Sequence, residues 1–148
     1  MQVELQYADD LEQRPISQHD CARWVLIALK TLNPLGLKAG DVCVRICGEA
    51  ESHRLNATYR HKDAPTNVLS FAGEVEGKIF GDLALCLPVM EQEAAEQHKS
   101  LHDHAAHLIV HGVLHLMGFD HVSDAEAEEM ETLEIRVLDV LGISNPYL

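Results

Sequence analysis

His111-Gly112-Val113-Leu114-His115-Leu116-Met117-Gly118-Phe119-Asp120-His121 brings three imidazoles into one short stretch at a spacing that constrains both structure and chemistry. His111 and His115 are four residues apart, so on a helix both side chains leave one face about one turn from each other. A single metal ion can bridge that separation. Gly118 suits the left-handed conformation that reverses a chain after a helix, and the reversal returns His121 toward the same point. Three neutral imidazoles leave one position of a tetrahedral ion open, as in a catalytic rather than a purely structural zinc site.

The ten histidines are not spread evenly: seven fall between residues 98 and 121. His104 and His107 share the helix face of His111. His107 is expected to support a ligand from behind, or to be structural. His19, His53, His98 and His102 read as ordinary polar histidines. The triad's spacing is also that of the metzincin peptidases, H-E-x-x-H-x-x-G-x-x-H, except that Gly112 replaces the glutamate. That glutamate is the peptidases' general base, so its absence argues against peptide hydrolysis. A glycine inside a helix costs up to about 1 kcal/mol relative to alanine, which predicts a close approach by another group there.

Outward from this stretch, the chain alternates strands and helices. Residues 3–7, 41–47, 66–71 and 80–87 carry the β-branched or alternating patterns of strands. Ser17 caps a helix whose apolar stripe is Cys21, Trp24, Val25, Ala28, Leu29 and Leu32, and Asn33-Pro34 ends it. Residues 51–59 suit a short helix, Pro88 opens another to about His98, and Leu101 to about Met117 forms the histidine helix. Ser123-Asp124-Ala125-Glu126 is a capping box for a last helix. Met130, Leu133, Val137, Val140 and Leu141 form its buried stripe, and Asp124, Glu126, Glu128, Glu129, Glu131 and Glu134 its wet faces. Four strands and several helices in mixed order point to an α+β or α/β layered fold, read as a single domain over residues 1–148.

Of the 148 residues, 47% are hydrophobic, and no apolar run approaches the roughly 20 residues of a membrane-spanning helix. A disordered or membrane protein is therefore not expected. The first residues lack the basic and apolar regions of a signal peptide, so a cytoplasmic location is expected. Cys21, Cys43, Cys47 and Cys86 show no paired C-x-x-C spacing and read as reduced, buried thiols. The net charge of −13 would ordinarily argue against nucleic acid. Residues 91–148, however, hold twelve acids against Lys99 and Arg136, a net −10, whereas residues 41–80 hold six acids and five bases. Arg54, Arg60, His61 and Lys62 lie in that near-neutral part, where an anion site is easily assembled. The acidity therefore does not exclude nucleic acid, and any such binding by the isolated chain is expected to be weak and salt-sensitive.

Two long motifs resemble those of the YbeY family of bacterial endoribonucleases. His111 to His121 resembles its H-G-x-L-H-L-x-G-[YF]-D-H. Leu55 to Phe71 (Leu-Asn-Ala-Thr-Tyr-Arg-His-Lys-Asp-Ala-Pro-Thr-Asn-Val-Leu-Ser-Phe) resembles its L-N-x-x-[YF]-R-x-x-D-x-P-T-[DN]-V-L-S-F. Gly81-Asp82-Leu83-Ala84-Leu85 resembles a third segment. The resemblance covers about residues 55–142; the first 50 match in layout only.

It implies a zincin-like α+β domain, a mixed four-stranded sheet flanked by helices, with one zinc ion, or another divalent transition metal, on His111, His115 and His121. It also implies a cytoplasmic endoribonuclease specific for single strands that matures small-subunit ribosomal RNA and acts in ribosome quality control. The implied partners are ribosomal RNA, the small ribosomal subunit and the Era GTPase. Arg60 matches the family's functional arginine, and its planar fork suits a scissile phosphate; with His115 it forms the expected catalytic pair. The alternative for Arg60 is a surface ion pair with Asp63. Asp120 either orients a ligand imidazole or caps the following turn. Asp82 stands near the site or is a structural carboxylate, and Arg54 and Lys62 are candidate RNA contacts. Two other functions compete: a metallopeptidase with a displaced base, and a ribosome-assembly binding factor whose zinc is structural.

Overall fold

A computed structural model describes residues 1–33, 36, 38–73, 75 and 77–148. In chain order it comprises β1 (Val3–Tyr7), α1 (Gln18–Leu32), β2 (Lys38–Cys47), α2 (Glu49–Arg60), β3 (Val68–Ala72), β4 (Lys78–Cys86), α3 (Leu87–Glu96), α4 (Leu101–Leu116) and α5 (Asp124–Val140). The sheet order is β1-β2-β4-β3, with β1, β2 and β4 parallel and β3 antiparallel to β4. The mixed four-stranded sheet flanked by helices is thus present.

Strand alternation turns Val42, Val44 and Ile46 of β2 and Leu83 and Leu85 of β4 into the core, each at most 1% exposed. α1 buries the six residues its periodicity marked. α4 differs from the other helices in being apolar nearly all round: Ala105, Ala106, Leu108, Ile109, Val110, Val113, Leu114 and Leu116 are all buried. A helix of that kind belongs in the middle. α4 packs against β3 and β4 and against α1, α3 and α5. Its histidines therefore project from the most constrained helix of the fold, where side-chain positions are best defined.

Three serines start the long helices by accepting an exposed backbone N–H. Ser17 accepts from Asp20 at 3.0 Å, Ser100 from Asp103 at 3.0 Å and Ser123 from Glu126 at 3.2 Å. α1 ends at Leu32 with Asn33 as its cap; Pro34 lies outside the described residues. β2 starts three residues earlier than its alternation suggests, because Lys38 and Ala39 pair with Lys78 and Ile79 before an irregularity near Gly40. β3 starts later, at Val68, because the Thr66 N–H is taken by the Ser52 hydroxyl. Leu87 belongs to α3 rather than to the strand before it.

Two positions of the last helix are corrected. Val140 is 57% exposed, and Leu138 takes its place in the core. Glu134, read as part of the wet face, is 1% exposed. All four cysteines are free; Cys21, Cys47 and Cys86 are buried and Cys43 is half-buried. Burial pushes the Cys21 and Cys47 thiols up to about 12, so both stay protonated. Among the described residues no helix is long and apolar enough to cross a membrane.

Candidate active site

His111 and His115 leave α4 on one face, with their Nε2 atoms 3.1 Å apart. Past Met117, Gly118 takes φ +97°, and the reversed chain brings the His121 ring within 5.4 Å of His111 and 5.1 Å of His115, centroid to centroid. One nitrogen from each of the three imidazoles lies within 4.8 Å of the others. Zn–N bonds of about 2.0–2.1 Å place tetrahedral ligands about 3.3 Å apart, so the His111–His115 separation fits one ion. Burial, reinforced by the neighbouring His111 and His121 rings, pulls the His115 pKa down, which favours the neutral imidazole a metal requires.

Behind the triad is a carboxylate. Glu134 Oε1 lies 3.0 Å from His111 Nδ1 and 3.1 Å from His107 Nε2, and Glu134 Oε2 accepts the Tyr147 hydroxyl at 2.8 Å. An ionised carboxylate only accepts, so His111 carries its proton on Nδ1 and its Nε2 lone pair faces His115. Burial alone would raise the Glu134 pKa, but the hydrogen bonds from His107 and His111 outweigh it and lower it to about 2. Burial, reinforced by this carboxylate, pushes the Tyr147 phenol up, so it stays a donor. His104 is turned elsewhere: its Nε2 meets Glu93 at 2.9 Å, and Glu93 also accepts from Asn67.

The opposite wall comes from α2 and β3. α2 ends at His61, whose φ of +58° turns the chain sharply. Buried Asn56 donates to the Ala64 carbonyl at 2.8 Å, and buried Ser52 donates to the Thr66 carbonyl at 3.0 Å, so the loop is braced from inside the helix. Arg60 Nη2 donates to the Ser70 carbonyl at 2.7 Å, and its guanidinium lies 5.7 Å from the Phe71 ring centroid. Arg60, Lys62, His111, His115, His121 and Asp120 all line one cleft of about 650 Å³. Such a space combines a candidate metal position with two cations, a lining that favours an anionic group.

The sequence-predicted residues divide accordingly. The three histidines, Arg60 and Lys62 share the cleft, and His107 stands behind His111 through Glu134. Asp63 pairs with His53 at 2.6 Å rather than with Arg60. Asp120 accepts the His121 backbone N–H at 2.8 Å, which caps the turn, and its Oδ1 is 3.8 Å from His121 Nδ1. Arg54 is exposed on α2 and does not line the cleft.

Asp82 is corrected. Alternation turns Leu83 toward α4 and Asp82 to the other face, where it lines a separate depression with Glu4, Asp41 and Phe71. The close approach expected at Gly112 is real: a Cβ there would lie 2.8 Å from Leu83 Cδ2, and the Ser70 hydroxyl donates to the Gly112 carbonyl at 3.2 Å. Sequence reasoning missed Glu134 and Tyr147. The signal for Glu134 was available, since it lies four residues after Met130 and three before Val137, on the buried stripe.

The profile of the family described as "Endoribonuclease YbeY" matches residues 6–142. Among curated proteins, the "Endoribonuclease YbeY" of Colwellia psychrerythraea is 52% identical, with 84% of this chain and 83% of that protein covered. Among solved structures, the solution structure of TM1509 from Thermotoga maritima is similar with a TM-score of 0.57 at 22% identity. That match covers 94% of this chain and 91% of the other, and it bears on the fold alone.

Proposed function

The chain belongs to the YbeY endoribonuclease family, and on that premise we propose that residues 1–148 act as one zinc-dependent hydrolase domain that cuts single-stranded ribosomal RNA. The observation that carries this reading is the shared cleft, with three convergent imidazoles on one wall and Arg60 on the other. His111, His115 and His121 would hold one ion per chain, and when bound the ion would supply Lewis acidity toward a phosphoryl oxygen. Arg60 grips the scissile phosphate and stabilises the charge that develops on it, with its fork already oriented by the Ser70 carbonyl. Lys62 holds the neighbouring backbone as a point charge. Glu134 keeps the His111 proton on Nδ1 and so keeps Nε2 free for the ion.

The metzincin base's place in the motif is taken by Gly112, and the space beside it is filled by Leu83. RNA carries its own nucleophile. Attack by the 2′-hydroxyl forms a 2′-O–P bond as the P–O5′ bond breaks, the hydroxyl proton is lost and the leaving 5′-oxygen takes one up. That route leaves a 2′,3′-cyclic phosphate and a 5′-hydroxyl, whereas attack by water leaves a linear phosphate, so product end groups separate the two. In the cell the reading places the chain in the cytoplasm, in small-subunit ribosomal RNA maturation and quality control, with the small subunit and the Era GTPase as partners. This rests on family membership.

The deciding experiment pairs two variants. His115→Ala is expected to lose both metal and RNA cleavage, and Arg60→Glu to keep the metal and lose cleavage. Intact cleavage by Arg60→Glu would refute the assignment of Arg60.

A further inference from the structure

Tyr59 is an aromatic side chain left facing water, at 55% exposed, beside a residue assigned to phosphate. It occupies the last turn of α2, immediately before Arg60. Its ring meets Phe71 edge-on, with centroids 5.2 Å apart at 73°, and the Arg60 guanidinium lies over the same Phe71 ring. Among the described residues its hydroxyl makes no hydrogen bond. Contact with Phe71 and the helix therefore fix the ring's place while much of its surface stays open. A large apolar surface held in place on one side and open to water on the other is a candidate contact for a ligand.

The charges around it select the kind of ligand. Arg60 and Lys62 are on the cleft side of edge strand β3. On the other side Phe71 is paired in register with Asp82, and Glu4 and Asp41 line the same depression. A phosphate is drawn to the first side and repelled from the second, whereas a neutral flat group is tolerated at the boundary. The Tyr59 ring and the Arg60 guanidinium both meet the one Phe71 ring, at 5.2 and 5.7 Å from its centroid, so they are near enough to meet two parts of one nucleotide unit.

We propose that Tyr59, backed by Phe71, is a stacking platform for an unpaired nucleobase adjoining the phosphate held by Arg60. The proposal rests on the functional reading above and deepens it. Base–aromatic stacking is tolerant of base identity and requires the base to leave any duplex, so the platform selects single strands without reading sequence. Tyr59 is thereby a specificity determinant for strand state.

The test uses the metal-loaded full chain and a short single-stranded RNA with a mapped cleavage position. An abasic ribonucleotide is placed in turn at each position flanking the bond. Tyr59→Ala is expected to lower kcat/KM about 5- to 150-fold, mainly through KM, and Tyr59→Phe, which keeps the ring, to recover most of the loss. At one flanking position the abasic substrate should slow wild type by a similar factor and should slow Tyr59→Ala no further. The idea is overturned if wild type is indifferent to every abasic substitution, a result that needs no variant to fold. It is also overturned if the Tyr59→Ala loss multiplies with the abasic loss at each position. Arg60→Glu, run in parallel, separates the two levels. Retained cleavage there sinks the site assignment and the platform with it, whereas lost cleavage with an abasic-indifferent wild type sinks the platform alone.

Discussion

Replacing Glu134 probes the support behind the histidines more sharply than replacing any histidine. In Glu134→Ala, His111 Nδ1–H and the Tyr147 hydroxyl lose their acceptor together, and His107 Nε2–H keeps only the Tyr147 oxygen at 3.2 Å. Each buried donor left unpaired costs about 1–3 kcal/mol. The His111 and His107 side chains, 24% and 12% exposed, recover part of this through water, so a total of about 3–5 kcal/mol is expected. For a chain of this length that corresponds to a fall in Tm of roughly 6–20 °C. Losing the carboxylate behind a ligand imidazole typically weakens metal affinity about 10- to 100-fold.

Glu134→Gln should be milder on both counts, because the amide keeps one acceptor oxygen. Its new N–H2 can also be met by His107, whose Nδ1 has no partner among the described residues and can take the ring proton. Thermal unfolding of the metal-free protein reads the first quantity. Competition against a chromophoric chelator reads the second. The order wild type, Glu134→Gln, Glu134→Ala is expected in both. If Glu134→Ala melted early but held its metal as wild type does, Glu134 would serve packing alone. An unchanged Tm would refute the argument from burial itself.

Three further outcomes are expected. Gly112→Ala puts a Cβ against Leu83 and should lower unfolding free energy by about 1–3 kcal/mol in a urea titration despite alanine's better helix propensity; a stabilised variant would show that the α4–β4 contact has slack. Filter binding to single-stranded RNA should weaken with salt, and Lys62→Ala should make the log–log slope shallower by about 0.7, the value for one phosphate contact on a single strand; an unchanged slope would remove Lys62 from the interface. The Arg45 hydrogen bond holds Glu51 below its ordinary pKa. Stability from this pair is complete above the unfolded carboxylate pKa near 4.3 and is lost as pH falls through the lower folded value, so Glu51→Gln should flatten the acid limb of a Tm–pH curve. An identical acid limb would show that the pair is already screened.

The histidine triad was legible because its geometry is local: one helical turn and one glycine reversal set the distances, and tertiary contacts only had to leave them undisturbed. The strands and helices were legible for the same reason, with errors at ends where non-local bonds decide, as at Thr66 and Lys38. What escaped the sequence depended on a choice between charge and periodicity. Glu134 lies on the apolar stripe of α5 by position and on its wet face by chemistry, and position prevailed because His111, His107 and Tyr147 converge on it. Asp82 is the converse case. Strand alternation with Leu83 and Leu85 already put it on the face opposite α4. Tyr147 lies beyond the last helix and carries no periodic signal.

The Arg60 contact with Ser70 bears on colloidal behaviour as well as on chemistry. β3 is a sheet edge, and Asn67 and Gly73 bond across to Cys86 and Phe80, so the two-residue period turns the Ser70 carbonyl outward, away from β4. An outward carbonyl on an edge strand is where a second chain would begin to add itself. The Arg60 guanidinium occupies it and places a positive charge there, the kind of obstacle that keeps edges from pairing. The residue assigned to the phosphate is thus also a guard against strand-to-strand aggregation. Selection acting on it would register solubility and turnover together.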